Sequence, residues 1–254
     1  MTKIIAIANQ KGGVGKTTTA VNLAACVGAL NKKVLVIDSD PQGNATSGLG
    51  IDKNEVSKNY YDVLMEGESI ENTVVPTDYK NVSVIPGNMD LLGVEVSLDK
   101  IENKEYILKN SLSQYQSDFD YIFIDCPPSL NYVTINAFTA ADSIIIPIQC
   151  EYYALEGVSD LIENIKLIKN SLNPNLEIEG ILLTMFDTRT NLSIQVAQDV
   201  KDCFPEKVYK VAIPRNTRLG EAPSFGTPIL YYDKYSKGAE SYKALAKEFL
   251  KQNK

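Results

Sequence analysis

Two kinds of hydrophobic pattern alternate along most of this chain. Short runs of β-branched and aliphatic residues, typical of strands covered on both faces, occupy residues 3–9, 33–38, 82–86, 121–125, 143–147, 178–186 and 208–213. Apolar residues recur at helical spacing over residues 16–30, 155–172, 191–204 and 238–250. This alternation predicts a doubly wound α/β fold, in which helices flank a mostly parallel β-sheet.

Residues 51–120 are the least regular part of the chain. They hold 14 acidic and 6 basic residues, so they account for the whole negative balance of a chain whose net charge is −7. We expect this acidic region to form helical insertions at one edge of the sheet. The chain has 254 residues and no evident linker or repeat. That length suits a single sizeable core, so we expect residues 1–254 to form one domain.

The composition excludes several kinds of chemistry. The chain has no histidine, which rules out Ser-His-Asp and Cys-His catalysis and histidine-ligated zinc. Acid–base work must therefore fall to carboxylates, lysines or bound water. The four cysteines form no C-x-x-C pair, and no run of about 18 apolar residues could span a membrane. We expect a cytoplasmic protein with reduced, mostly buried thiols.

The strongest motif follows the first predicted strand. Residues 10–18 read QKGGVGKTT and open a predicted helix, which is the context that a phosphate-binding P-loop requires. Its glycines let backbone N–H groups curl around phosphate oxygens, and a helix N-terminus favours anions. We expect Lys16 to reach the β- and γ-phosphates and the Thr17 hydroxyl to ligate Mg²⁺. Gln10 replaces the usual first glycine, and a second lysine, Lys11, stands inside the loop.

Carboxylates end two of the predicted strands. Asp125 follows the apolar run YIFI, which is the Walker B arrangement for holding Mg²⁺. Asp38 and Asp40 lie on one loop, in the sequence DSDPQG, and could serve the metal and the attacking water. Because no glutamine or histidine is evidently placed to orient that water, Asp40 is our candidate for the role. Taken alone, such a loop is also an ordinary strand-terminating turn.

The three arginines of the chain, Arg189, Arg215 and Arg218, lie within 30 residues. Lysine supplies the positive charge everywhere else. A guanidinium offers a planar fork for bidentate phosphate contacts, so the clustering favours a phosphate-binding surface, although three residues are a small sample.

Several motifs together resemble the ParA/Soj family of chromosome and plasmid partition ATPases. The KGG-x-GK[ST] form of the P-loop is the deviant Walker A signature of the ParA/MinD superfamily. Further segments resemble the family from residue 3 to about residue 250: DSDPQGNATSGLG, YIFIDCPPSL, PIQCEYYALEG, LLTMFDTRTN and IPRNTRLGEAPSFG. The resemblance is to the short chromosomal type.

This resemblance implies a role for each matching residue. Lys11 would cross a dimer interface to the partner's phosphates, Asp40 would position the hydrolytic water, and Asp125 would be the Walker B acid. Arg189 and Arg218 would belong to a DNA-binding surface of the ATP-bound dimer. The phosphates would be bound by Gly12, Gly13, Val14, Gly15, Lys16, Thr17 and Thr18, and the adenine by Pro214 and Asn216.

The family resemblance also implies cofactors and partners. These are ATP and Mg²⁺, a second copy of the chain, double-stranded DNA bound without sequence preference, and a ParB/Spo0J-type centromere-binding protein. The protein would then be cytoplasmic and associate with the nucleoid when ATP is bound.

The main alternative is a MinD-like positioning ATPase, which anchors through a C-terminal amphipathic membrane helix. The apolar face predicted for residues 238–250 contains Ala239, Tyr242 and Ala246, which suit packing on a sheet. We therefore expect no stable membrane anchoring. Iron–sulfur members of the superfamily require paired cysteines, for which this chain has no recognisable pattern.

Overall fold

A seven-stranded sheet forms the centre of the computed structural model, which describes residues 2–98, 101–113, 115, 118–152 and 154–253. Across the sheet the order is β3-β4-β2-β5-β1-β6-β7, and every neighbouring pair except β3–β4 is parallel. The strands are β1 Lys3–Ile7, β2 Val34–Asp38, β3 Val75–Pro76, β4 Val82–Ile85, β5 Tyr121–Asp125, β6 Ser143–Gln149 and β7 Glu177–Thr184. The predicted α/β class and mostly parallel sheet are therefore confirmed.

Helices of very different lengths connect the strands. The longer ones are α1 Lys16–Ala29, α6 Tyr132–Ala140, α7 Ala154–Ser171, α8 Asn191–Cys203 and α11 Lys237–Gln252. The shorter ones are α2 Asn44–Gly48, α3 Ile70–Thr73, α4 Val94–Leu98, α5 Ile107–Ser113, α9 Thr217–Glu221 and α10 Ile229–Tyr232. Single helical turns of other types cover Asp62–Glu66, Met89–Gly93, Lys104–Tyr106 and Ala222–Phe225.

Alternate residues of each central strand pack on opposite faces of the sheet. In β1, Ile4 and Ala6 belong to a hydrophobic cluster that includes residues of α6, α7 and α8. Ile5 and Ile7 belong to a second cluster, which includes residues of α1 and α11. Both faces are thus buried, which explains why the strands read as continuous apolar runs.

The carboxyl ends of β1 and β5 form the switch point of the sheet. These strands are neighbours, and Ile7 pairs with Asp125. The helix that follows β1 packs on one face, and the helix that follows β5 packs on the other. A crevice opens where two such connections diverge, and ligands of doubly wound proteins bind there.

The acidic region, residues 51–120, contributes the two strands at one edge of the sheet and is only partly helical. Besides short helices it contributes β3, which pairs antiparallel with the predicted strand β4. The two-residue strand β3 contains Pro76, so its sequence carries too little pattern to be predicted.

The prediction of a strand over residues 208–213 was wrong. The backbone of this segment bonds to β7 at both ends: Tyr209 N–H donates to Ile181 O, and Ile213 N–H donates to Leu183 O. Between them, however, the N–H groups of Lys210 and Val211 donate to the Glu248 carboxylate of α11, over 2.8 and 3.1 Å. These bonds turn the backbone away from β7, so that only isolated bridges form.

The composition led us to expect mostly buried, reduced thiols and no membrane-spanning segment. All four cysteines are free thiols; Cys26, Cys126 and Cys150 are buried, whereas Cys203 is exposed. In the part of the chain that the structure describes, no helix combines the length and apolar character needed to cross a bilayer.

Candidate functional site

The P-loop lies between β1 and α1, at the switch point. Gly13 and Gly15 have φ angles of 75° and 91°, which non-glycine residues rarely adopt. Among the described residues, no side chain caps the first turn of α1, so its N–H groups remain available to an anion. The loop borders a cavity of about 290 Å³, lined by Gly12, Gly13, Gly15, Lys16, Thr17, Thr18, Asp40, Asn44, Pro128 and Met185.

Lys16 contributes the cation of this phosphate cavity. Lys16 as a whole residue is only 7% exposed, and its Nζ donates to the Lys11 carbonyl oxygen over 3.3 Å. Burial lowers the pKa of Lys16, whereas the nearby carboxylates of Asp125 and Asp40 oppose that shift. A phosphate anion in the cavity would further favour the charged ammonium.

The other lysine of the loop, Lys11, points elsewhere. Its Nζ lies 3.6 Å from Glu151 Oε2. Glu151 also accepts a hydrogen bond from Gln149 and lies 3.9 Å from the Arg215 guanidinium. The two loop lysines therefore have different surroundings: one is buried at the phosphate cavity, and the other is half-exposed beside an acid of the same chain.

Asp125 is the residue best placed to hold a metal ion. It is fully buried at the end of β5, and within the described residues neither carboxylate oxygen has a well-formed hydrogen bond. The Thr17 hydroxyl is close enough to lower its pKa, but burial and the neighbouring Asp38 carboxylate raise that pKa well above its ordinary value. A buried, unsatisfied carboxylate beside a threonine hydroxyl fits a hard divalent cation such as Mg²⁺.

Asp40 and Asp38 occupy different positions although they are two residues apart. Asp40 lines the phosphate cavity, and its Oδ1 accepts a hydrogen bond from the Gln42 N–H. Asp38 is fully buried at the end of β2, where it pairs in register with Asp125. Burial raises the pKa of Asp38 to about 6, although hydrogen bonds from Thr46 favour its charged form.

A second cavity of about 370 Å³ adjoins the phosphate cavity. Pro214 and Asn216, the residues expected to contact adenine, line it, and Asn216 Oδ1 also accepts from the Leu219 N–H at the start of α9. Gly15, Thr18 and Met185 border both cavities. The arrangement can accommodate a base in one cavity and its phosphates in the other.

Sequence reasoning missed two residues that line the second cavity, Thr184 and Met185. The Thr184 hydroxyl donates to the Val14 carbonyl oxygen over 2.8 Å and so ties β7 to the P-loop. Met185 has a φ of 49°, an uncommon conformation for a non-glycine residue, which is found most often at functional sites. Both lie at the carboxyl end of β7, on the same edge of the parallel sheet as the P-loop, and that position was the available signal.

The arginines predicted to bind DNA are exposed but already paired with acids. Arg189 is 84% exposed and makes a bidentate pair with Asp187, over 2.9 and 2.7 Å. This pairing holds the pKa of Asp187 well below its usual range. Arg218 is 53% exposed and lies 2.8 Å from Glu221 and 3.6 Å from Asp233. Their positive charge is therefore partly neutralised within the chain.

Comparisons with known proteins agree with this architecture. A family model described as an AAA domain matches residues 2–178. The sporulation initiation inhibitor protein Soj of Bacillus subtilis (strain 168) is 55% identical over 248 residues, which cover 98% of each chain. The chromosome partitioning protein ParA of Myxococcus xanthus (strain DK1622) is 51% identical over 251 residues, covering 99% of this chain and 89% of that protein.

Solved structures share the fold over nearly the whole chain. Cobyrinic acid a,c-diamide synthase from Mycobacterium smegmatis, with bound ADP and magnesium, is 37% identical with a TM-score of 0.87, covering 99% of this chain and 95% of that one. A putative plasmid partition protein from Borrelia burgdorferi B31, bound to AMPPNP, is 31% identical with a TM-score of 0.81, covering 99% of this chain and 100% of that one.

The deviant P-loop, the Walker B strand end and the doubly wound sheet occur here together with near-full-length identity to Soj and ParA. The chain therefore belongs to the ParA/Soj family of chromosome and plasmid partition ATPases, within the ParA/MinD superfamily of P-loop proteins.

Proposed function

We propose that this chain is a nucleotide-switched DNA-partition ATPase, which works as one domain. ATP with Mg²⁺ closes two copies into a dimer, the dimer binds double-stranded DNA without sequence preference, and hydrolysis stimulated by a ParB/Spo0J-type partner releases both. The observation that most strongly supports this proposal is the phosphate cavity at the switch point. The site combines an uncapped helix N-terminus, a buried lysine and, among the described residues, a buried carboxylate without a hydrogen bond. The Soj and ParA relatives support the partition role.

The chemistry that we assign to the site follows from its parts. The loop N–H groups and Lys16 bind the phosphates, Thr17 and Asp125 hold Mg²⁺, and Asp40 orients the attacking water. Bound Mg²⁺ would neutralise the negative charge that develops on the phosphate oxygens. Pro214 and Asn216 contact the adenine.

The position of Lys11 supports the need for a second copy. Its ammonium lies beside Glu151 instead of lining the phosphate cavity of its own chain. Exposed ion pairs of this kind contribute only about 0.2–1 kcal/mol, so Lys11 can exchange Glu151 for a partner's phosphates at small cost. ATP thereby promotes dimerisation, because each bound nucleotide supplies an anion to the other protomer.

Replacing Gly12 with Val is expected to preserve ATP binding and to block dimerisation. Apart from the residues adjacent in sequence, no atom in the described part of this chain lies within 4 Å of a Cβ at Gly12, and its φ does not require glycine. The side chain would instead meet the partner's loop. Overpacking costs about 1–3 kcal/mol per site, and each interface contains two copies, so the dimer dissociation constant should rise at least about 30-fold. Light scattering with ATP measures this.

Gly12→Ala is the matched control, since its single methyl group should weaken the dimer less. ATP binding is followed separately with a fluorescent analogue. A Gly12→Val protein that forms the ATP dimer at the parent concentration would contradict the placement of the partner at this loop.

The DNA-binding part of the proposal depends on the dimer. One copy is acidic, with a net charge of −7, and pairs its arginines with acids. Closing two copies doubles the number of exposed guanidinium groups, and a local basic surface can bind a polyanion when the acids lie elsewhere. Binding should accordingly require ATP.

Replacing Arg189 or Arg218 with Glu is expected to weaken DNA binding at least about tenfold, equally on all sequences. If each arginine binds one phosphate, its replacement should also lower the slope of log K against log salt concentration by about one unit. Because neither residue lines the nucleotide cavities, ATP-driven dimerisation should be unchanged. Biolayer interferometry on unrelated duplexes, at two salt concentrations, provides the measurement.

Lys109→Glu is the control for these variants, because it makes the same charge change at an exposed residue in the acidic region. Arg215 is unsuitable as a control, since it lines the second cavity, the one proposed to hold the adenine. Parent-like DNA binding by both arginine variants, or equal binding without nucleotide, would refute the assignment.

The packing of α11 favours this proposal over a membrane-anchored positioning ATPase. Its apolar residues are buried against the sheet and α1, including Ala239, Tyr242, Leu245, Ala246 and Phe249. A helix must expose its apolar face to bind a bilayer interface. We therefore propose a cytoplasmic protein that associates with the nucleoid in its ATP state; co-sedimentation with anionic liposomes would reveal membrane binding.

A further inference from the structure

The loop that carries Asp40 is bonded at both ends to one buried carboxylate. Asp38 Oδ2 accepts hydrogen bonds from the Thr46 N–H and the Thr46 hydroxyl, each over 2.7 Å. Asp38 Oδ1 accepts from the Asp40 N–H over 3.3 Å. The Asp38 side chain, at the end of β2, thus bonds both to the backbone of Asp40 and to Thr46 of α2.

The surroundings leave this connection little freedom to move. The Thr46 hydroxyl oxygen accepts a hydrogen bond from the Gly87 N–H over 3.0 Å. A Cβ at Gly87 would lie 2.4 Å from the Asp38 carbonyl oxygen, and one at Gly43 would lie 2.4 Å from the Gly87 carbonyl oxygen. The loop therefore packs backbone against backbone on the turn that follows β4.

The two buried carboxylates at these strand ends differ in their hydrogen bonds. Asp125 and Asp38 pair in register on neighbouring strands. Within the described residues, both oxygens of Asp125 lack a well-formed hydrogen bond, whereas both oxygens of Asp38 accept hydrogen bonds from the Asp40 loop and α2. A buried carboxylate is costly unless it is bonded, and the bonds of Asp38 go to the loop.

We propose that Asp38 is a positioning residue for ATP hydrolysis: through Thr46 and the Asp40 N–H it holds the loop so that Asp40 faces the phosphate cavity. The inference rests on the role proposed above for Asp40. Asp38 itself touches neither nucleotide nor metal, and its contribution is the placement of another side chain. Because small displacements of a catalytic group reduce rates strongly, loss of these bonds slows hydrolysis without removing any group that binds phosphate.

The first experiment compares Asp38→Asn with the parent protein in steady-state ATP hydrolysis. The amide retains one acceptor oxygen and places an NH₂ where a second acceptor is needed. We expect kcat to fall on the order of 10- to 100-fold. The KM for ATP and the Mg²⁺ concentration that gives half-maximal activity should stay within about twofold of the parent. An increased Mg²⁺ requirement would overturn the proposal, because it would make Asp38 a metal-binding residue.

A double-mutant cycle separates positioning from a direct role. If Asp38 acts only through Asp40, adding Asp38→Asn to Asp40→Ala costs no further activity. A double variant that is slower than Asp40→Ala alone would overturn the inference. A different result would refute the proposed role of Asp40: the single variant Asp40→Ala would hydrolyse ATP at the parent rate.

Thr46 supplies a second pair of variants should Asp38→Asn fold poorly. Thr46→Val keeps the side-chain shape and removes the hydroxyl, so kcat should fall; Thr46→Ser keeps the hydroxyl and should restore it. In a protein that already carries Asp40→Ala, adding Thr46→Val should cause no further fall in kcat. Equal kcat values for the serine and valine variants, with both proteins folded by thermal melting, would refute the relay through Thr46.

Discussion

Replacing Lys16 with Ala should abolish productive ATP binding and, with it, dimerisation and DNA binding. The ammonium is buried at the phosphate cavity and is held beside the P-loop by its bond to the Lys11 carbonyl oxygen. A hydrogen bond to a charged group contributes about 1.5–3 kcal/mol, and Lys16 is expected to contact both the β- and γ-phosphates. The dissociation constant for ATP should therefore rise at least about 100-fold, which isothermal titration calorimetry measures.

Lys11→Ala is the matched control, because it removes a lysine from the same loop. That variant should bind ATP with nearly the parent affinity yet fail to form the ATP dimer, since Lys11 pairs with Glu151 instead of lining its own phosphate cavity. Thermal unfolding without nucleotide verifies that both variants fold. Normal turnover by Lys16→Ala would contradict the assignment of the P-loop.

Replacing Asp40 with Ala should leave ATP binding intact and lower kcat about 10²- to 10³-fold, within the range that positioned acid–base groups contribute. The side chain lines the phosphate cavity, while its own hydrogen bond goes to the Gln42 N–H of the same loop. Its loss removes help in the transition state but no group that binds phosphate. The variant should accumulate as an ATP-bound dimer, which light scattering and phosphate release together detect.

Glu55→Ala is the control for this variant, because it removes an exposed carboxylate from the acidic region outside the cavities. It should hydrolyse ATP at the parent rate. If Asp40→Ala does so as well, a different group orients the water.

The comparison between the two buried aspartates shows how far sequence reasoning reached in the site. The motif DSDPQG predicted two carboxylates on one loop, and the YIFID run predicted a third at a strand end. The sequence suggested roles for Asp40 and Asp125 but gave no separate role to Asp38, because Asp38 and Asp125 both end apolar strands. Their difference comes from Thr46, which is eight residues beyond Asp38 and bonds to only one of the two.

The arginine cluster illustrates a second limit. Sequence analysis predicted exposed guanidinium groups, and Arg189 and Arg218 are exposed. Their acidic partners were not predicted. Asp187 lies two residues from Arg189. Asp233, in contrast, pairs with Arg218 across the Ala222–Phe225 turn and α10, which separate the two residues in sequence. The Arg218–Asp233 pairing depends on how the chain returns on itself, and all of these pairings reduce the positive charge that a DNA-binding surface can offer.

By itself, the sequence determined the elements whose cause is local. Apolar alternation and helical spacing are properties of neighbouring residues, so patterns predicted strands β1, β2 and β4 to β7, helices α1, α7, α8 and α11, and the P-loop. They did not predict β3 or α6, and they predicted a strand over residues 208–213 that does not form. The tertiary structure decided the interactions between residues that are far apart in sequence. Glu248 bonds residues 210 and 211 in place of β7, Thr184 bonds β7 to Val14 of the P-loop, and Glu151 pairs with Lys11. Each of these interactions joins segments that meet only because the sheet and its helices fix their positions, and no local pattern encodes that meeting.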